Sequence, residues 1–245
     1  MEVILLLTAC IKPNVTDYIA IPNYTERKNM YIDAINWYIR NTNFKIIFVE
    51  NSGTNIKENI IKADCNRIEF LTFESKPAVP ERSRSYKEME ILEYAFKHSK
   101  FLTKEELIIV KITGRLKLLN INAIISSLTK ASKKTKGFVC SAKNARKPFS
   151  DCRFIYFSKN FWPYLYKQKE KIWPTYGMEW VLGDAIREAQ KNGLTFIYPP
   201  LFEDIEGIGM SQGNSLKSRG FQLYKKKIRH YIIKVLFNIK LLPLR

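Results

Sequence analysis

The chain predicts an α/β fold, and three observations carry the prediction. Short apolar and β-branched runs, Val3 to Leu7, Phe44 to Val49 and Leu107 to Ile112, alternate with longer stretches whose apolar residues recur at helical spacing. The first two runs bracket one such helical stretch, which describes a βαβ unit with a right-handed crossover. The third run opens abruptly into Thr113-Gly114-Arg115, a small, flexible, cationic tip. A guanidinium delivered there would sit at the carboxyl edge of a sheet, where open α/β folds bind ligands. A turn glycine followed by a solvated arginine is the other reading of the same three residues.

The elements follow in order. A polar, proline-containing loop from Ile11 to Thr25 leads to a helix from Glu26 to Asn41, whose apolar face holds Met30, Ala34, Ile35, Trp37 and Tyr38. The second strand ends in Glu50-Asn51-Ser52-Gly53, a turn signal. A short helix over Asn55 to Lys62, a strand over Arg67 to Phe73 and a helix over Glu88 to His98 come next. Beyond the Leu107 strand, helices are expected over Ile121 to Ala131, Phe161 to Gln168 and Met178 to Asn192. Gly137 to Ser141, Arg153 to Phe157 and Thr195 to Tyr198 read as later strands. From Ile228 onward, Ile228, Tyr231, Ile232, Val235, Leu236 and Ile239 follow helical spacing between lysines and arginines, which makes a basic amphipathic helix. Such a helix lies on anionic membranes or docks on its own core with its lysines solvated. The expected division is one α/β domain over 1–220 and a membrane-association segment over 221–245.

At 245 residues, 46% of them hydrophobic, the chain is long enough to bury a sizeable core. Its formal net charge of +18 favours anionic partners: nucleotide diphosphates, acidic lipid headgroups or nucleic acid. Cys10, Cys65, Cys140 and Cys152 show no CxxC spacing, so reduced thiols are the simplest reading. Leu7-Thr8-Ala9-Cys10 superficially resembles a lipobox, but Glu2 and the short apolar run argue against export. The expected location is cytoplasmic. No stretch reaches the roughly twenty apolar residues a spanning helix needs.

Several chemistries are excluded by what is missing: a P-loop, a GxGxxG after the first strand, a GxSxG elbow and an HExxH. With only His98 and His230 available, both read as surface residues, carboxylates are the remaining bases. Glu179 stands where the loop Pro174 to Gly177 passes into a helix, a position favoured by the helix dipole. Asp184, further along that helix, reads as structural. Glu88 and Glu90 read as ordinary helix-start acids after the basic loop Arg82-Ser83-Arg84, whose arginines clamp phosphate or are simply solvated. Asp151 and Arg153 recognise hydroxyls of a polar ligand or pair with each other.

Taken together, the ordered series Arg27…Tyr31…Ala34-Ile35, Lys45 to Gly53, Tyr86…Glu88-Met89-Glu90-Ile91, Lys111 to Arg115, Asp151-Cys152-Arg153-Phe154 and Glu206-Gly207-Ile208 resembles bacterial capsule and O-antigen glycosyltransferases, in particular the galactofuranosyltransferase-like group. The resemblance covers roughly residues 1 to 215. It implies a GT-A-like nucleotide-diphospho-sugar transferase fold, with a mixed central sheet flanked by helices. Two departures stand out: Ser85-Tyr86-Lys87-Glu88 replaces a Gly-Tyr-Gly-Glu, and Ile208 to Gly213 only partly matches a Gly/Ser/Thr run.

In many such enzymes an Asp-x-Asp ends the strand equivalent to Leu107 to Ile112 and holds a divalent metal. Thr113-Gly114-Arg115 stands there instead, and an arginine neutralises a diphosphate without a cation, so no metal is expected. The expected reaction is hexosyl transfer with inversion, from a UDP-sugar to a glycan or lipid-linked acceptor. Glu179 is the expected base and Arg115 the leaving-group clamp, assisted by Arg84 or Lys87. Thr8, Ala9, Glu50 and Asn51 are expected to line the nucleotide pocket, and Asp151 and Arg153 to meet the acceptor. The basic tail would hold the enzyme on the inner membrane face. The rival reading, a basic nucleic-acid-binding protein, lacks any RNP, zinc or helix-turn-helix signature.

Overall fold

The first strand, β1 (Glu2–Ala9), is buried from Ile4 onward and lies inside a seven-stranded sheet, next to its central strand. The computed structural model describes residues 1–13, 21–61, 65–76, 83–142, 149–209 and 213–239. Arg82, Lys62, Met210 to Gln212 and the tail residues Lys240, Leu241, Leu242 and Leu244 lie outside them.

The helix α1 (Tyr24–Asn41) is capped by Asn23, whose side chain accepts from the Glu26 amide. It leads to β2 (Lys45–Glu50), parallel to β1. The stretch expected to be helical from Asn55 forms only one 3₁₀ turn, Lys57–Asn59, with no side-chain cap. Then come β3 (Ile68–Thr72), α2 (Arg84–His98) and β4 (Leu107–Thr113), followed by β5 (Lys117–Leu118) and α3 (Ile121–Ser132). The second half contains β6 (Phe138–Cys140), β7 (Phe154–Ser158), α4 (Trp162–Tyr166), α5 (Met178–Lys191), β8 (Thr195–Ile197), β9 (Ile205–Glu206) and α6 (Gly220–Asn238). The expected helix over Phe161 to Gln168 is thus reduced to the five residues of α4, between 3₁₀ turns.

The sheet order is β3-β2-β1-β4-β7-β6-β8. Strands β3, β2, β1 and β4 are parallel, whereas β7 runs antiparallel to β4 and β6, so the sheet is mixed as expected. Alternation along the strands divides the core in two. Leu5, Leu7, Ile108, Val110 and Ile112 meet α1 and α3 on one face. Ile4, Leu6, Leu107 and Ile109 meet α2 and α5 on the other. β5 and β9 form a separate ribbon across the mouth of the sheet. This ribbon explains the Glu206-Gly207-Ile208 element: Glu206 pairs with Lys117 and Lys217, and Gly207, at φ 142°, passes where a Cβ would lie 2.6 Å from Leu116.

Candidate active site

Four parallel strands end on the same side of the sheet, and the antiparallel β7 begins there, so residues far apart in sequence converge at one edge. The Thr113 amide donates to the Arg153 carbonyl at 2.9 Å, and the Gly114 amide to the Thr8 carbonyl at 2.8 Å. A Cβ on Gly114 would stand 2.8 Å from that carbonyl, so the glycine admits the end of β1 rather than a ligand. The edge opens into a cleft of about 760 Å³.

Thr8, Ala9, Asn51, Arg84, Lys87, Arg115, Arg153 and Glu179 all line this cleft. Arg115, half-buried, donates from Nε to the Ile208 carbonyl at 3.2 Å. Burial pulls its guanidinium below the ordinary value, with the Tyr31 hydroxyl and the Glu88 charge acting in its favour. Among the described residues no carboxylate lies within ion-pair distance of it. Asn51 is buried, and its Oδ1 has no partner among the described residues. A buried acceptor left open in this way is suited to a ligand N–H or hydroxyl.

Two expectations, the place of Glu50 and the start of the helix expected from Glu88, need correction. Glu50 does not line the cleft: its carboxylate turns inward to accept from the amides of Ile11 at 2.9 Å, Ser52 at 2.9 Å and Thr54 at 2.8 Å. It staples the loops after β1 and β2 together. Lys87 reaches the cleft but is held by Glu90 at 3.4 Å and the Ser75 hydroxyl at 2.9 Å, which leaves Arg84 the less encumbered cation of α2. The helix α2 also begins four residues before Glu88, so Arg84, Ser85, Lys87 and Glu88 are all presented from its first turns.

Lys111 and Glu88 form a pair at the wall of the cleft that the reading of the sequence did not anticipate. The lysine is fully buried on β4, donates from Nζ to the Cys152 carbonyl at 2.5 Å and forms an ion pair with Glu88. Glu88 faces the cleft and also accepts from the Thr8 hydroxyl at 3.5 Å. A lysine in the middle of an apolar strand was the available signal, because such a charge requires a partner.

Glu179 lies in the first turn of α5, opposite Ser85 across Gly177. The Cys152 thiol donates to its Oε1 at 3.3 Å. Burial pushes that thiol well above its usual range, so it remains a neutral donor. Cys10, Cys140 and Cys152 are free thiols. Asp184 is held by Arg187, Lys171 and the Tyr176 hydroxyl, a structural role as expected.

A second cavity of about 540 Å³ adjoins the first, between the β7 and β8 edge and α6. Asp151, Glu203, Tyr198, Arg229 and His230 line it, and Arg153 and Glu179 line both cavities. Asp151 and Arg153 pair with each other through Nε contacts of 2.9 and 3.0 Å, while both remain at the cavity wall. His230, read from the sequence as a surface residue, is half-buried against Tyr198 with ring centroids 5.2 Å apart. Burial lowers its pKa.

Glu203 was not anticipated. It is buried, accepts from the Tyr156 hydroxyl at 3.1 Å and is pushed up to about 8 by burial and by the Asp151 charge. Its native state therefore holds a proton that the unfolded chain releases near the ordinary carboxylate value of about 4.3. Stability should fall as pH rises between those two values. Urea unfolding at pH 5, 6, 7 and 8 should show this loss, and Glu203→Gln should flatten it. An unchanged slope in the variant would reject the assignment.

No protein-family profile and no curated protein sequence matches the chain. Solved structures do resemble it. A protein described as a nucleotide-diphospho-sugar transferase of Desulfovibrio desulfuricans aligns over 81% of this chain and 80% of its own, with 9% identity and a TM-score of 0.46. A cytidylyltransferase of Leptospira borgpetersenii covers 98% of this chain and 87% of its own, with 13% identity and a TM-score of 0.45. A nucleoside-diphosphate-sugar pyrophosphorylase of Vibrio cholerae covers 80% and 92%, with 9% identity and a TM-score of 0.44. Likenesses this distant do not say what the chain does.

Proposed function

We propose that the chain is a glycosyltransferase that moves a hexosyl residue, of the galactofuranosyl kind that its sequence resemblance implies, from a UDP-sugar to a hydroxyl of a glycan acceptor. The observation that carries this reading is that one carboxylate, Glu179, lines two adjoining cavities. A transfer base must touch the acceptor hydroxyl on one side while the donor's reacting carbon lies on the other, and a carboxylate shared by two cavities suits that task.

In this reading the cleft at the sheet edge takes the donor. Asn51 Oδ1 accepts from the nucleoside, and Arg115 and Arg84 meet the diphosphate. The second cavity takes the acceptor, where Asp151 and Arg153 engage its hydroxyls. Glu179 removes the acceptor proton as the oxygen attacks the anomeric carbon, and the bond to the nucleoside diphosphate breaks with inversion. The departing oxygen gains negative charge as the bond breaks, and the Arg115 guanidinium stabilises it without the reorganisation water would need. The Cys152 thiol, hydrogen-bonded to Oε1, orients the carboxylate. The acceptor assigned by the resemblance is a lipid-linked capsule or O-antigen precursor.

Arg115 supplies the test of this donor site. UDP-sugars should raise the melting temperature of the wild-type chain with or without EDTA, more than GDP-, CMP- or dTDP-sugars do. A donor at a hundredfold excess over its Kd adds about 2.7 kcal/mol of stability, a readily measured shift. Arg115→Gln should abolish most of that shift. Stabilisation that appears only with Mg²⁺ or Mn²⁺ would reject the arginine clamp, and no stabilisation by any nucleotide sugar would reject the transferase reading.

A further inference from the structure

The helix α6 turns its apolar stripe away from the protein. Leu223, His230, Ile233, Lys234 and Phe237 face inward: Phe237 stacks on Tyr198 at 5.1 Å, and Lys234 donates to the Pro200 carbonyl at 2.7 Å. On the opposite side Phe221, Tyr224, Ile228, Tyr231, Ile232 and Val235 recur at helical spacing, and Ile239 follows just past the helix end. All are exposed, Phe221 at 68% and Tyr231 at 66%. Leu236, expected on this stripe, is instead half-buried at its margin. A helix that satisfies its core contacts with one face and bares a continuous apolar face on the other is built to meet a second surface.

We propose that this stripe seats the protein on an anionic lipid bilayer. Charge chooses the occupant. Lys225 and Arg229 flank one side of the stripe and Lys227 the other, so aromatic and aliphatic side chains enter the headgroup boundary while cations reach lipid phosphates. A second copy of this chain would bring another +18 of formal charge against the same lysine-rimmed face, which opposes self-association through it. Among the described residues no helix is long and apolar enough to cross a membrane, so the contact is interfacial. The docking stands independently of the transfer reading. Joined to that reading, it has a consequence, because the inner face of the same helix lines the second cavity through His230 and Ile233. The bilayer-bound helix is then one wall of the acceptor site, and a lipid-tethered acceptor arrives on the side where it is needed.

The test is co-sedimentation of the full chain with vesicles of phosphatidylglycerol and phosphatidylcholine, compared with phosphatidylcholine alone. Wild type should partition at least tenfold better onto the anionic vesicles, less so at high salt, where charge is screened. Ile228→Glu/Ile232→Glu/Val235→Glu alters only exposed positions and should lower that partition at least tenfold. Its circular dichroism and its thermal shift with a UDP-sugar should match wild type, which separates failure of docking from failure of the donor site. Equal vesicle binding by the triple variant, or no preference of wild type for anionic lipid, would overturn the proposal. So would a lipid-free dimer that the three substitutions dissociate, since a second copy would then own the stripe.

Discussion

Glu179→Gln is expected to lower transfer turnover about 10²- to 10⁴-fold, the range for loss of a positioned general base. The amide is close in shape to the carboxylate and keeps an oxygen for the Cys152 thiol, so the start of α5 and the wall between the cavities should persist. What is lost is the ability to take a proton. Donor binding should therefore be nearly unchanged, since Arg115, Arg84 and Asn51 remain, and the fall should appear in kcat rather than in donor affinity. Steady-state kinetics with a soluble glycan acceptor, beside a donor-binding titration, would check this. Turnover within a few fold of wild type would remove Glu179 from the base role.

The second large effect is on stability. Lys111→Met should cost about 3–5 kcal/mol, the usual penalty for leaving one member of a buried ion pair unpaired. Glu88 keeps a side-chain exposure of 22%, so part of its charge is still solvated and the cost should fall toward the lower figure. Lys111→Met/Glu88→Gln should recover much of the loss, because the methionine packs with Leu107 and Ile109 and no bare carboxylate remains. Urea denaturation midpoints for wild type, single and double variants measure it. Equal losses in the single and double variants would show that Lys111 matters through packing or the Cys152 carbonyl instead.

Much of the fold is legible along the chain because strand and helix periodicities are local. The buried strands β1, β2 and β4 and the amphipathic helices α1 and α5 fall within a few residues of where their apolar spacing puts them, while α6 begins eight residues before Ile228. The failures have local causes too. Asn55 to Ile61 is too short to repay helix nucleation, so one 3₁₀ turn forms. The start of α2 was placed at Glu88 because Arg84 to Lys87 carry no apolar pattern; in the structure that first turn is polar because it faces the cleft.

The candidate site was half legible. Arg115 and Glu179 could be selected from the sequence, since each stands at the end of a strongly patterned element that must terminate at an edge. Glu50 looked identical in that respect, yet its carboxylate is consumed by three loop amides. Nothing in the pattern distinguishes a carboxylate aimed into a cleft from one aimed at its own backbone.

What the sequence by itself determined was therefore the order of the long strands and helices, the arginine at the end of β4 and the amphipathic character of the tail. The tertiary structure alone decided the partnerships: Lys111 with Glu88, Cys152 with Glu179, Tyr156 with Glu203, and the outward turn of the α6 stripe. The physical reason is one of range. Backbone periodicity is set by neighbours a few residues away, whereas burial of a charge and the identity of its partner depend on which elements the sheet order brings face to face.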